Sequence, residues 1–160
     1  LRPVSPQIIQ GVRQHRLIYQ MGITPYLHEK AGFLYDSTLG FAEKEGFRNS
    51  YCLPFRPYDH QNDRMMQHWE IPLNVMDVTL FHYQRYSYEE SDRIIERLIS
   101  EVRRFHGVFT VLWHNSFFDE DIYPGITRYY EDLMSNLGNR ISKSLTGPQI
   151  IDRIIKLAGG

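Results

Sequence analysis

The stretch Tyr88–Asn115, YEESDRIIERLISEVRRFHGVFTVLWHN, decides the fold class because it joins an amphipathic helix directly to an apolar strand. Apolar side chains recur at helical spacing from residue 94 to residue 105, and charged side chains lie largely on the opposite face. Ser87 and Glu90 have the spacing of a capping box, and Gly107 stands where a left-handed residue would close the helix. We therefore predict a helix over Tyr88–His106.

The run that follows this helix, Val108–Trp113, is almost entirely apolar or β-branched. Such a run is typical of a strand that is buried in a parallel sheet. Its carboxyl end carries His114 and Asn115. Because ligands of parallel α/β folds bind at the carboxyl ends of strands, a histidine at this position is a candidate site residue.

The rest of the chain continues the alternation of strands and helices. Further strands are expected within Gly11–Tyr19, Phe33–Tyr35 and Ile71–Leu80, the last interrupted by Pro72. Further helices are expected at Pro25–Ala31 before Gly32, at Gly125–Leu137 with Gly138 as the stop, and at Pro148–Leu157 with Thr146 as the cap. The pattern predicts a single α/β domain over residues 1–160, with parallel strands and flanking helices.

Composition narrows the function classes. The 160 residues carry 18 Lys+Arg and 19 Asp+Glu, a formal charge of -1, without the basic excess that nucleic-acid binding needs. No stretch has the run of apolar residues that a membrane span requires. The single Cys52 cannot form an internal disulfide or a Cys-rich zinc site. We therefore expect neither nucleic acid nor a membrane span, and the sequence leaves localisation open.

The histidines give no local metal motif. Seven are present and none are three or four residues apart, so a helical His pair is absent. Four of them have polar or helical surroundings and are expected to be ordinary surface or boundary residues: His28, His68, His82 and His106.

Two of the acidic or basic side chains keep two readings each, and a third needs a charged partner. The imidazole of His114 suits proton transfer, but it could equally satisfy a buried carbonyl at a strand end. Asp36, in Asp36-Ser37-Thr38, could cap its own turn or orient a catalytic group. Asp77 stands among apolar residues and needs a partner if it is buried, and an arginine is the expected partner.

Four segments, read in order, resemble the later motifs of the polysaccharide deacetylase superfamily, which is carbohydrate esterase family four with the NodB homology domain. They are Gly11–His15 (GVRQH), Ala31–Thr38 (AGFLYDST), Glu70–Leu73 (EIPL) and Leu112–Asn115 (LWHN). The resemblance implies that the chain is part of a distorted (β/α) barrel. It also implies a hydrolase that removes acetyl groups from an N-acetylated glycan with the help of a divalent, zinc-like metal.

The resemblance assigns catalytic roles to three residues. Arg13 matches the arginine that orients the catalytic base, and Asp36 matches the acidic position that follows it. His114 matches the histidine that protonates the leaving amine or lines the acetyl pocket. A water-activating site needs a base and the leaving group needs an acid, so the three roles are chemically consistent.

The sequence departs from the family before Arg13. The family's Thr-Phe-Asp-Asp strand end and His-x-x-x-His pair should precede this residue, and no Asp-Asp dipeptide occurs in the chain. We therefore expect the metal ligands and the base outside this segment, in an N-terminal half of the same domain. The expected partners of this segment are that N-terminal half and the glycan substrate. The segment alone is expected to be inactive. A catalytically inactive glycan-binding or structural domain with the same fold is the alternative.

Overall fold

The computed structural model describes residues 9–140 and 143–158, and its strands are short. In chain order they are β1 (Gly11–Val12), β2 (Tyr35–Asp36), β3 (Tyr58–Asp59), β4 (Arg64–Met65), β5 (Trp69–Glu70), β6 (Val75–Met76) and β7 (Val111–Leu112).

Five of these strands pair in parallel. β2 lies between β1 and β5, with Val12 opposite Asp36 and Asp36 opposite Glu70. β6 pairs with β7, with Met76 opposite Leu112, and β3 and β4 form an antiparallel hairpin. The mixed α/β class with parallel strands is thus confirmed. The described strands form no closed barrel, and the distorted (β/α) barrel stays a prediction.

Within residues 9–140 and 143–158, four helices accompany the strands: α1 (Thr24–Lys30), α2 (Tyr88–Arg104), α3 (Ile126–Arg140) and α4 (Gly147–Ala158). Single turns of other helix types span Val78–Tyr83, which is π-helical, and His15–Leu17 and Asn115–Phe117, which are 3₁₀. The capping box of α2 is present, because the Ser87 and Glu90 side chains each accept the other's backbone N–H. In the described part of the chain, none of the helices has the length and apolar character to cross a membrane.

Two helix ends differ from the expectation. His106, not Gly107, takes the left-handed conformation after α2, with φ 53°. Gly107 is needed for a close approach instead, since a Cβ there would lie 2.4 Å from Sγ of Cys52. α3 continues through Gly138, which therefore does not stop the helix. One exposed glycine costs a helix only about 1 kcal/mol, and the buried Leu133 and Leu137 hold this helix in place.

The helices cover the strands through two apolar clusters. α2 and α3 pack together against β6 around ten buried side chains: Val75, Leu80, Ile94, Ile95, Leu98, Ile99, Ile126, Tyr129, Leu133 and Leu137. α4 buries Ile150 and Ile151 against Ile71, with Tyr35 and Trp69 packed alongside. Both strand groups are thereby supported by helices, which fixes the loops that leave their carboxyl ends.

Candidate functional site

Polar side chains stand at the carboxyl ends of all five parallel strands. Arg13 follows β1, Asp36 ends β2 and Glu70 ends β5. Asp77 follows β6, and His114 comes two residues after β7. Ligands of parallel α/β folds bind at the carboxyl ends of strands. Arg13 and Asp36 lie at this end of the sheet β1-β2-β5, and His114 lies at this end of the separate sheet β6-β7.

Asp36 is completely buried and holds its own turn. Its Oδ1 accepts hydrogen bonds from the backbone N–H of Thr38 at 2.9 Å and from Oγ1 of Thr38 at 2.5 Å. Its Oδ2 lies 3.1 Å from Nδ1 of His28. The turn-capping reading of Asp36 is therefore confirmed, and the same contacts fix the orientation of its carboxyl group.

His28 and His68 are buried, so the expectation that they are surface or boundary residues is wrong. His28 projects from α1 toward Asp36, and its Nε2 lies 2.8 Å from the amide nitrogen of Gln14. Since an amide nitrogen can only donate, Nε2 of His28 accepts, and Nδ1 carries the proton that is donated to Asp36. His68 immediately precedes β5, and its ring meets that of His28 edge-on at 6.4 Å. Tertiary packing, which single-residue spacing does not reveal, brings both rings to this strand end.

Arg13 is joined to the segment that follows Asp36. Its Nε donates to the backbone oxygen and to Oγ of Ser37, each at 3.0 Å. The backbone N–H of Gln14 donates to Oγ1 of Thr38 at 2.9 Å. Arg13 as a whole residue is exposed. The structure thus brings together two of the three predicted site residues, Arg13 and the Asp36 segment.

Glu70 is a site residue that the sequence reasoning missed. It is completely buried, and its Oε1 accepts the backbone N–H of Leu39 at 2.8 Å. Among the described residues no hydrogen-bond donor reaches its Oε2. Burial, the adjacent charge of Asp36 and a side-chain hydrogen bond with Asp36 raise the pKa of Glu70 to about 9, against the opposing effects of Leu39 and Arg13. Glu70 therefore holds its proton more tightly than an ordinary carboxyl group does. Its only signal in the sequence is a carboxyl group beside the apolar residues of Glu70–Leu73.

Tyr19 lies beside this pair of carboxyl groups. Burial and the negative charges of Glu70 and Asp36 raise the pKa of its phenol. Its ring packs against the guanidinium of Arg48, at 5.9 Å from the ring centroid. Nη1 of Arg48 in turn donates to the backbone oxygen of Gly40 at 3.2 Å. Tyr19 and Arg48 thus extend the polar site beyond the three predicted residues.

His114 is paired with Asp77. Its Nδ1 lies 2.6 Å from Oδ1 of Asp77, and its backbone N–H donates to Oδ2. The N–H of Val78 donates to Oδ1 at 2.6 Å. Burial raises the pKa of Asp77, and the hydrogen bonds from His114 oppose this effect. The expected arginine partner of Asp77 is therefore wrong, because the parallel pairing of β6 with β7 places a histidine there.

An apolar contact connects the two groups of polar residues. Leu17, four residues after Arg13, is buried in one cluster with Leu73 and Met76, and Leu112 packs against it. The turn after β1 therefore contacts the strands that carry Asp77 and His114. Hydrogen bonds link His114 to Asp77 and link Arg13 to Ser37, and a single cleft shared by Arg13, Asp36 and His114 stays a prediction.

The described residues do not form a metal site. Within residues 9–140 and 143–158 there is no group of three or more His, Cys, Asp or Glu side chains that could hold a metal ion. The divalent metal that the family resemblance implies thus finds no complete ligand set in this part of the chain.

Comparisons with protein-family models, with curated proteins and with solved structures found no match to this chain.

Proposed function

We propose that this chain contributes the leaving-group side of a metal-dependent hydrolase that removes acetyl groups from an N-acetylated glycan in the intact protein. The observation that carries the proposal is the pair of Asp77 and His114 at the carboxyl ends of two paired parallel strands. The order of the motifs in the chain indicates the reaction class. The Asp77–His114 pair offers a proton donor for one step of that reaction.

Breaking an amide bond requires a proton for the leaving nitrogen. In His114, the bond from Nδ1 to Asp77 leaves Nε2 for a substrate, and the side chain is 40% exposed. A protonated imidazole gives the Nε2 proton to the nitrogen as the carbon–nitrogen bond breaks, and the ring becomes neutral. The carboxylate of Asp77 orients the ring and stabilises its charged form before that transfer.

Arg13 and Asp36 have supporting roles in the proposal. The guanidinium of Arg13 is held at Nε by Ser37, so its terminal nitrogens can bind a carboxylate in a fixed direction. The family resemblance assigns such an arginine to the catalytic base. Asp36 holds the turn that presents Ser37, and thus acts on Arg13 through the backbone.

The metal ligands and the base belong, in this proposal, to residues outside those described. No step is assigned to the metal, because the described residues do not hold it. A catalytically inactive glycan-binding or structural domain is the alternative, and the experiment below distinguishes the two.

The test is acetate release from N-acetylglucosamine oligomers by the full-length protein, with and without added Zn²⁺. We expect metal-dependent release of acetate with a matching appearance of free amine. His114→Ala should lower kcat by about 10²- to 10⁴-fold, the usual contribution of a general acid. His82→Ala is the matched control, since His82 is an exposed histidine in another turn. A folded wild-type protein that binds the oligomers without releasing acetate would favour the inactive alternative.

A further inference from the structure

Two buried carboxyl groups lie side by side at the end of the three-stranded sheet. Asp36 and Glu70 are register partners on the parallel strands β2 and β5. Neighbouring strands are about 4.8 Å apart, and register partners project to the same face. Both residues are completely buried, so water cannot screen one carboxyl group from the other.

The hydrogen-bond donors around the pair are unequally divided. Thr38 and His28 supply three donors to Asp36. Glu70 receives one, from the backbone of Leu39, and its Oε2 has none among the described residues. Two adjacent buried carboxylates repel each other, so one of the pair must hold a proton. The division of donors places the negative charge on Asp36 and the proton on Glu70.

The two carboxyl groups accept hydrogen bonds from two consecutive backbone N–H groups. Asp36 accepts from Thr38, and Glu70 accepts from Leu39. Ser37, which accepts both hydrogen bonds of the Arg13 Nε, lies within the same short segment of backbone. The position of the Arg13 guanidinium therefore depends on where these two carboxyl groups hold the backbone.

We propose that Glu70, in its protonated form, is a positioning residue that holds Leu39 and so sets the orientation of Arg13. The inference deepens the proposed function, on which its catalytic consequence rests. Ionisation of Glu70 places a second negative charge beside Asp36, and the repulsion separates the two side chains. A carboxylate accepts the Leu39 N–H more strongly than a carboxylic acid does, so Leu39 moves with the side chain of Glu70. The contact between Ser37 and Arg13 shifts with it.

The ionisation of Glu70 is expected at alkaline pH. The pKa of Glu70 is raised to about 9 by burial and by the charge of Asp36. Four other charged or titratable groups face the pair: Arg13 from the end of β1, Tyr19 from the following turn, His28 from α1 and His68 from the residue before β5. Burial, and after it the same charges, raise the pKa of the Tyr19 phenol above its ordinary value of about 10.

The test follows Arg13 directly by nuclear magnetic resonance in the full chain. The ¹⁵Nε and ¹³Cζ signals of Arg13, assigned with Arg13→Lys, are recorded from pH 6 to pH 10. We expect one transition with a midpoint near pH 9 in the wild type. In Glu70→Gln, whose amide oxygen still accepts from Leu39, the signals should stay at their neutral-pH positions. Glu131→Gln, an exposed change on α3, is the control and should titrate like the wild type.

The activity arm separates this inference from the proposed function. Where acetate is released, the ratio of wild-type kcat to Glu70→Gln kcat should fall about tenfold between neutral pH and one pH unit above the midpoint, as Glu70 loses its proton. Any pH dependence that the two proteins share cancels in this ratio. The ratio of their KM values should stay unchanged, which a purely structural role would not produce. The inference is overturned if Glu70→Gln shows the same Arg13 transition as the wild type. It is also overturned if the wild type shows no transition. Both conclusions hold whether or not acetate is released. Lack of acetate release together with the expected Arg13 signals overturns only the proposed function.

Discussion

Gly147 lies directly against the ring of Tyr35. A Cβ at Gly147 would stand 2.2 Å from Cζ of this ring, and a Cβ at Gly11 would stand 2.1 Å from the same atom. The first residue of α4 and the first residue of β1 thus contact the side chain that immediately precedes Asp36. A larger residue at either position would require the outer end of this ring to move.

Gly147→Ala should destabilise the protein by about 1–3 kcal/mol, the usual cost of overpacking a close contact. Urea unfolding, followed by circular dichroism, measures the change. Gly138→Ala is the control, because a Cβ there meets nothing within 4 Å and alanine is the better helix former. Combining Gly147→Ala with Tyr35→Val should recover part of the loss, since the ring is then removed. A Gly147→Ala protein as stable as the wild type would contradict the contact.

The capping box of α2 gives a local prediction. Ser87→Ala removes the hydroxyl that accepts the N–H of Glu90, and the free energy of unfolding should fall by about 1 kcal/mol. Ser100→Ala, at an exposed position inside the same helix, should have little effect or stabilise slightly. Equal losses from the two substitutions would show that the cap contributes nothing specific.

Local patterns predicted the elements, whereas contacts between distant residues decided the site. The helix over Tyr88–Arg104 follows from spacing and a cap that lie within one stretch of chain. The pairing of Asp77 with His114 crosses 37 positions, and it depends on how β6 and β7 align. The burial of His28 likewise depends on where α1 packs. The sequence predicts the left-handed residue after α2 at Gly107, one position after His106, where it occurs. The close approach of Cys52, which explains the glycine at position 107, has no signal in the sequence.

His68 should make stability depend on pH. Its ring nitrogens are buried without hydrogen-bond partners among the described residues, and burial lowers the pKa of this histidine. The unfolded chain takes up a proton near the ordinary value of about 6.5, where the folded chain does not. The unfolded state then binds more protons, so the free energy of unfolding falls as pH decreases below that value.

His68→Phe should reduce this dependence, because phenylalanine takes up no proton. The measurement is urea unfolding of both proteins at pH 5 and at pH 7.5. His82→Phe, at an exposed position, should keep the wild-type slope. The opposite sign, with the wild type gaining stability relative to His68→Phe on acidification, would show that His68 is protonated in the folded state.

The strongest prediction concerns Asp77→Asn. The asparagine oxygen can accept from only one side, so either the backbone N–H or Nδ1 of His114 loses its acceptor. Where the amide nitrogen faces Nδ1, the ring must carry its proton on Nε2 in the neutral form, and the stabilising charge is gone. We expect kcat to fall by about 10³-fold with KM nearly unchanged, since the loss affects proton transfer rather than binding. Stability should also fall by about 1–3 kcal/mol, because a buried donor becomes unpaired.

Two further measurements make this prediction decisive. The ¹⁵N chemical shifts of His114 report which ring nitrogen holds the proton, and the neutral ring should change from the Nδ1–H form to a mixture of both forms. Asp132→Asn, an exposed change on α3, should alter neither the shifts nor kcat. An unchanged tautomer in Asp77→Asn would remove the pair from the mechanism. A changed tautomer with unchanged kcat would keep the structural pair and exclude His114 as the proton donor.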